Sequence, residues 1–219
     1  MRRSVAWVIG LGLALAGLAL SVYYWDRVPD PMPTHWNWRG EVDGWGPRTL
    51  GLLLMPGLAV LFMGLLPLAD RLGETPEDRA ANAAPARAYI VGLVGFLALM
   101  HALTVRAALH PPDYRLPVEL LLPLLGALLV LTGWLFPQLA PNRWMGIRLR
   151  STLGSERVWR ATHRYAGVLY TVCGLVLAIC PALGGERVVL ITAGVVFVAI
   201  IVLPLHYAWL SARDEQVGR

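Results

Sequence analysis

The sequence predicts an all-α, polytopic membrane protein with six transmembrane helices. Three observations predict it. Of 219 residues, 57% are hydrophobic and only 15% charged, against about 45–50% and about 25% in soluble domains. Mean hydropathy is +0.57. Six apolar runs are each about 20 residues long, enough to cross roughly 30 Å of hydrocarbon as a helix. The same arithmetic excludes a disordered chain. The net charge of +5 is scattered among apolar runs rather than gathered in a patch, so no nucleic-acid partner is expected. The expected partner is the lipid bilayer.

The six spans fall at 5–25, 50–69, 86–109, 117–136, 165–182 and 188–210. Arg2 and Arg3 give the first the start of a signal sequence. It closes on Tyr23, Tyr24 and Trp25 rather than on a small-residue cleavage site, so a retained helix with an interfacial aromatic belt is expected. Pro67, Pro137 and Pro204 mark the ends of the even-numbered spans, while Pro56 and Pro123 sit deeper and would kink theirs. Cys173 and Cys180 lie seven apart in one apolar run without ligand-spaced partners, which predicts packing residues and neither a disulfide nor a metal site. All 19 basic residues are arginine, a bias read as codon composition. With the N-terminus inside, thirteen arginines fall on the cytoplasmic side and six outside, so the positive-inside rule predicts N-in, C-in. The expected location is a membrane, crossed six times.

Residues 1–70 read as a two-span N-terminal domain and 71–219 as a four-span domain, together one membrane-embedded unit. Residues 70–85 read as a plain solvated connector and 183–187 as a tight Gly-Gly turn. Function is expected in the connections 26–49 and 137–164, which are long, aromatic and rich in specific polar groups.

The outer connection runs through Pro29, Pro31 and Pro33, which impose extended backbone. Then follow His35, Trp36, Asn37, Trp38, Arg39, Glu41, Asp43 and Trp45. Tryptophans beside hydrogen-bonding groups suit a ligand pocket for a sugar, peptide or lipid head group, with His35, Trp36, Asn37, Trp38, Arg39 and Trp45 as binding residues. The plainer alternative is an interfacial aromatic belt. If the protein is an enzyme, Glu41, Asp43 and His35 supply the acid–base groups. Glu41, after flexible Gly40, is expected to turn inward as the protonatable group.

In the inner connection, Ser155 followed by Glu156 predicts a helix N-cap. Val158, Trp159, Thr162 and Tyr165 recur at helical spacing opposite Arg157, Arg160 and Arg164. That pattern predicts an amphipathic helix on the inner leaflet before the fifth span; the plainer alternative is arginines that set orientation and meet anionic lipid. Arg148, after Gly146-Ile147, is expected to tie the loop to Asn142, Glu156 or a helix C-terminus. His101 and Arg106 on the third span and Glu119 on the fourth are costly in lipid and are expected to pair, line a cavity or snorkel.

The series Asn142, Gly146-Ile147-Arg148, Thr152, Ser155, Trp159 and His163 resembles the signature of the SdpI family of bacterial membrane proteins. The outer Pro, His35-Trp36-Asn37, Gly and Asp43-x-Trp45 pattern is similar to a domain of unknown function that often precedes it. The resemblance implies a six-helix membrane protein. It also implies immunity against a secreted toxic peptide, with signalling through a cytoplasmic regulator. Gly154 departs from the pattern, which commonly has a second serine there.

Three functions follow, in order: a sensor or immunity-type protein with an outer peptide or envelope ligand; a membrane-embedded hydrolase acting on a glycoside; a small-molecule transporter. No nucleotide, haem or metalloprotease motif occurs, so no cofactor is expected.

Overall fold

The computed structural model describes residues 1–217. Six of its helical segments are long and apolar enough to cross a membrane. They are α1 (Arg3–Tyr24), α2 (Arg48–Gly64, extended by a 3₁₀ turn at Leu66–Arg71), α3 (Pro76–Ala108), α4 (Val118–Leu135, extended by a 3₁₀ turn at Phe136–Gln138), α6 (Glu156–Leu183) and α7 (Glu186–Val217). A short α5 (Arg150–Gly154) precedes α6. Pro67 and Pro137 each fall in the 3₁₀ turn that ends their helix, where a ring without an N–H cannot continue an α-helix. The inner-leaflet segment read from residues 156–164 is the first part of α6 and runs on without a break.

One departure from helix lies between α1 and α2. Strands β1 (Met32–Trp36) and β2 (Val42–Gly46) pair antiparallel, with Met32 opposite Gly46 and His35 opposite Gly44.

Contacts divide the chain into two compact units. The first holds residues 2–66 and 90–121. Its core gathers Val28, Met32, Leu52, Val105 and Ala108 beneath the hairpin. Met32 lies against Gly51, where a side chain would overlap it. Ser21 of α1 is fully buried; its hydroxyl donates to the Leu52 carbonyl of α2 at 2.6 Å and lies 2.9 Å from Nε2 of buried His101 on α3. His101 therefore pairs, and its partner is serine. Among the described residues Arg106 and Glu119 form no ion pair, and both are exposed.

Of the described residues, the second unit holds residue 1 with 67–89 and 122–217. Here α4 and α6 touch backbone to backbone, because glycines spaced by seven face each other. A Cβ on Gly174 would stand 2.5 Å from the Gly126 carbonyl, and one on Gly133 would stand 2.6 Å from the Gly167 carbonyl. Small residues permit such approach where lipid offers helices no hydrophobic drive to associate. Cys173 packs with Leu177 and Val196, and both cysteines are buried and free, as expected of packing residues. The connector reading of 70–85 is corrected. α3 begins at Pro76, and Asn82 is fully buried, donating to the Leu72 carbonyl and accepting from the Ala140 N–H. Asp70 pairs with half-buried Arg87.

Candidate functional sites

The connection between α1 and α2 folds because a five-residue turn closes on one amide. Asn37 Oδ1 accepts from the Arg39 and Glu41 N–H groups at 2.8 and 3.1 Å, and its Nδ2 donates to Glu41 Oε2 at 2.9 Å. This is the asparagine turn that competes with regular structure. Gly40 takes φ +75° and its carbonyl accepts from the Leu116 N–H. The 110–116 segment holds the hairpin further: Trp36 Nε1 donates to the Tyr114 carbonyl at 2.8 Å, Arg115 donates to the Arg39 carbonyl, and the Trp45 ring meets Tyr114 edge-on. At the base, Arg48 donates to the Trp25 carbonyl and to Asp26 and lies 3.8 Å from Asp30.

His35 Nδ1 lies 2.5 Å from Asp43 Oδ1, and both side chains are exposed. Trp38 and Trp45 are each about half exposed, with the Arg39 guanidinium over the Trp38 ring. The hairpin thus brings His35, Trp36, Asn37, Trp38, Arg39, Glu41, Asp43 and Trp45 into one small element. It does not sink Glu41 inward: that carboxylate is exposed and held by Asn37. Gly40 takes the buried place in the turn, against Leu116 and Val118, and leaves Glu41 on the outer side. What the hairpin offers is a surface of indole faces and paired charges.

The connection between α4 and α6 is a second construction, almost all of it backbone held by buried side chains. Asn142, 2% exposed, accepts from the Trp144 and Met145 N–H groups at 3.0 and 2.7 Å and donates to the Ala140 carbonyl. Trp159 is fully buried and donates Nε1–H to the Leu139 carbonyl at 2.7 Å. Its ring stacks on His163 at 4.0 Å. His163 Nδ1 lies 2.9 Å from the Trp159 carbonyl, while its Nε2 accepts from the Ile147 N–H at 2.9 Å. A carbonyl can only accept and an N–H can only donate, so these partners fix the Nδ1–H tautomer. Gly146, at φ +106°, lies so close to His163 Nε2 that no side chain fits there. Buried Thr152 donates to the Ile147 carbonyl at 2.7 Å and accepts from the Leu149 N–H. Ser155 caps α6 by accepting from the Val158 N–H, and it donates to Glu215 of α7 at 3.0 Å.

Arg148 corrects its expectation. It donates to the Arg143 carbonyl at 3.0 Å, within its own loop, and reaches neither Asn142 nor Glu156. The motif polar groups are thus spent on shaping the loop, which leaves Arg143, Trp144 and Leu153 exposed on it. Beside them a cleft of about 320 Å³ is lined by Glu74, Thr75, Asp78, Pro141, Asn142, Arg143 and Leu153. Sequence reasoning passed over Asn82, Arg48, Tyr114 and Glu215. Among the described residues no cluster of His, Cys, Asp or Glu suits a metal.

Six apolar helices joined by one structured hairpin and one structured motif loop define a multi-pass integral membrane protein. Residues 138–207 match the SdpI/YfhL protein family, and residues 12–60 match a domain of unknown function, DUF1648. The chain is 29% identical over 204 residues to "Immunity protein SdpI" of Bacillus subtilis (strain 168), which covers 91% of this chain and 94% of that protein. Its likeness to the SdpI family thus rests on residues 138–207 and on a relative aligned along most of the chain. No solved structure matches it.

Proposed function

We propose that this protein is an immunity-type membrane protein that binds a secreted toxic peptide at the α1–α2 hairpin, outside the membrane, and reports it through the motif loop inside. The observation that carries the reading is the likeness to an immunity protein along nearly the whole chain. The hairpin supports it physically. Half-exposed Trp38 and Trp45 with Arg39, Glu41 and the His35–Asp43 pair form a surface on which an amphipathic peptide finds apolar faces and both charges. On the inner side, Arg143, Trp144 and Leu153 form the surface offered to a regulator.

The hydrolase alternative draws less support. An acid–base pair works best where water is excluded, and Glu41 and Asp43 stand in water.

The test is survival. Toxin-sensitive cells expressing the protein should grow in the presence of the secreted peptide, and Trp38→Ala with Trp45→Ala should remove that protection at unchanged membrane abundance. Protection that persists in the double variant overturns the hairpin as the binding surface.

A further inference from the structure

His101 is the most buried ionisable side chain of its unit, and neither the family motif nor the hairpin surface contains it. It is fully buried on α3, on one face with Thr104, Val105 and Ala108. Its Nε2 lies 2.9 Å from Ser21 Oγ. The Ser21 hydroxyl has one proton, and the Leu52 carbonyl 2.6 Å away and the Gly17 carbonyl 3.1 Å away can only accept it. Ser21 therefore donates to α2 and accepts from His101, which fixes the ring as its Nε2–H tautomer. Nδ1 has no partner and is buried. The fold keeps this unsatisfied nitrogen, which costs stability, where leucine would have filled the space.

The bonds lead to one place. The Leu52 side chain is fully buried against Met32, the first residue of β1, and Val105 and Ala108 complete the same cluster. Leu52 also sits one turn into α2 from Arg48, whose guanidinium clamps the hairpin base at Trp25, Asp26 and Asp30.

We infer that His101 is a positioning residue for the hairpin: acting through Ser21, it fixes the Leu52 turn of α2 on which Met32 seats. This rests on the reading of the hairpin as the peptide-binding surface. The imidazole is suited to the task because its rigid donor reaches across from α3 while the serine hydroxyl bridges α1 to α2. Three helices are then held at one depth directly below the hairpin. In an environment without water, each such bond has no competitor.

The experiment is amide hydrogen exchange of the full chain in lipid nanodiscs, read over residues 32–46 and, as an internal reference, over α4 and α6. His101→Leu preserves bulk and removes the donor, and should raise hairpin exchange about tenfold or more while the reference helices stay unchanged. His101→Gln places an amide N–H where Nε2–H stood and should restore exchange to within about threefold of the parent. Ser21→Ala, a smaller change that tolerates a folding failure of the leucine variant, should raise hairpin exchange as His101→Leu does. Parent-like hairpin exchange in both His101→Leu and Ser21→Ala overturns the inference, as does a glutamine variant no better than leucine. The functional reading fails separately: protection that survives Trp38→Ala with Trp45→Ala overturns it, whatever the exchange experiment gives.

Discussion

Replacing Gly146 by alanine tests how the motif loop is held. The residue sits at φ +106°, and a Cβ there would collide with His163 Nε2 and stand 3.2 Å from the Trp159 ring. Backbone strain for a side chain in that region costs about 1–3 kcal/mol. If the loop instead moves away, the Ile147 N–H to His163 bond is lost, leaving a buried acceptor unpaired at about 1–3 kcal/mol. Both together give about 2–6 kcal/mol. The assay is reversible unfolding of the detergent-solubilised protein, run as a double-mutant cycle with His163→Ala. Removing the imidazole first should relieve the collision and lower the cost of Gly146→Ala by about 1–3 kcal/mol, a coupling expected only of residues in contact. A cost below about 0.5 kcal/mol, the range of inert surface changes, with no coupling, would refute the reasoning.

Gly133→Val should destabilise by about 3 kcal/mol or more in a thermal-unfolding assay, because the new atoms meet the Gly167 carbonyl at 2.6 Å and the Thr171 N at 2.7 Å, backbone that cannot turn aside as the nearby Thr171 hydroxyl can. Arg148→Lys should cost less than about 1 kcal/mol in the same assay, since the arginine makes one exposed bond to a loop carbonyl. Cysteines introduced by Thr34→Cys and Ser151→Cys should react with an impermeant maleimide from opposite sides of intact cells; labelling from one side only would overturn the arginine-based orientation.

What the sequence disclosed follows from the length scale of each signal. Spans are written in twenty-residue apolar runs, so all six were legible, but three helices outrun their apolar run: α3 begins at Pro76 instead of 86, α6 at Glu156 instead of 165, and α7 ends at Val217 instead of 210. Ser155 was legible as a cap because that role needs only a local hydroxyl and one N–H. The hairpin was hidden: its strands are five residues each, β1 carries Pro33, β2 carries two glycines, and register shifts interrupt the pairing, so no alternation survives. Glu41 was misjudged because flexibility at Gly40 says that the chain turns, not which way. Asn82 lay in an alanine-rich polar stretch with no periodic signal, and its role depends on Leu72 and Ala140, ten and fifty-eight residues away. Gly126, Gly133, Gly167 and Gly174 carried a readable seven-residue spacing, but only pairing of α4 with α6 gives it meaning. His101 was marked as costly in lipid, and its partner Ser21, eighty residues earlier, was not.

Site-specific photocrosslinking in living cells tests the central claim most directly. A photoreactive residue at position 38 on the hairpin, and in a second strain at position 144 on the motif loop, is illuminated while the secreted toxic peptide is present. The account predicts a covalent adduct with the peptide at position 38 and none at position 144. Full protection with no adduct at position 38, or an adduct at position 144 alone, would contradict it.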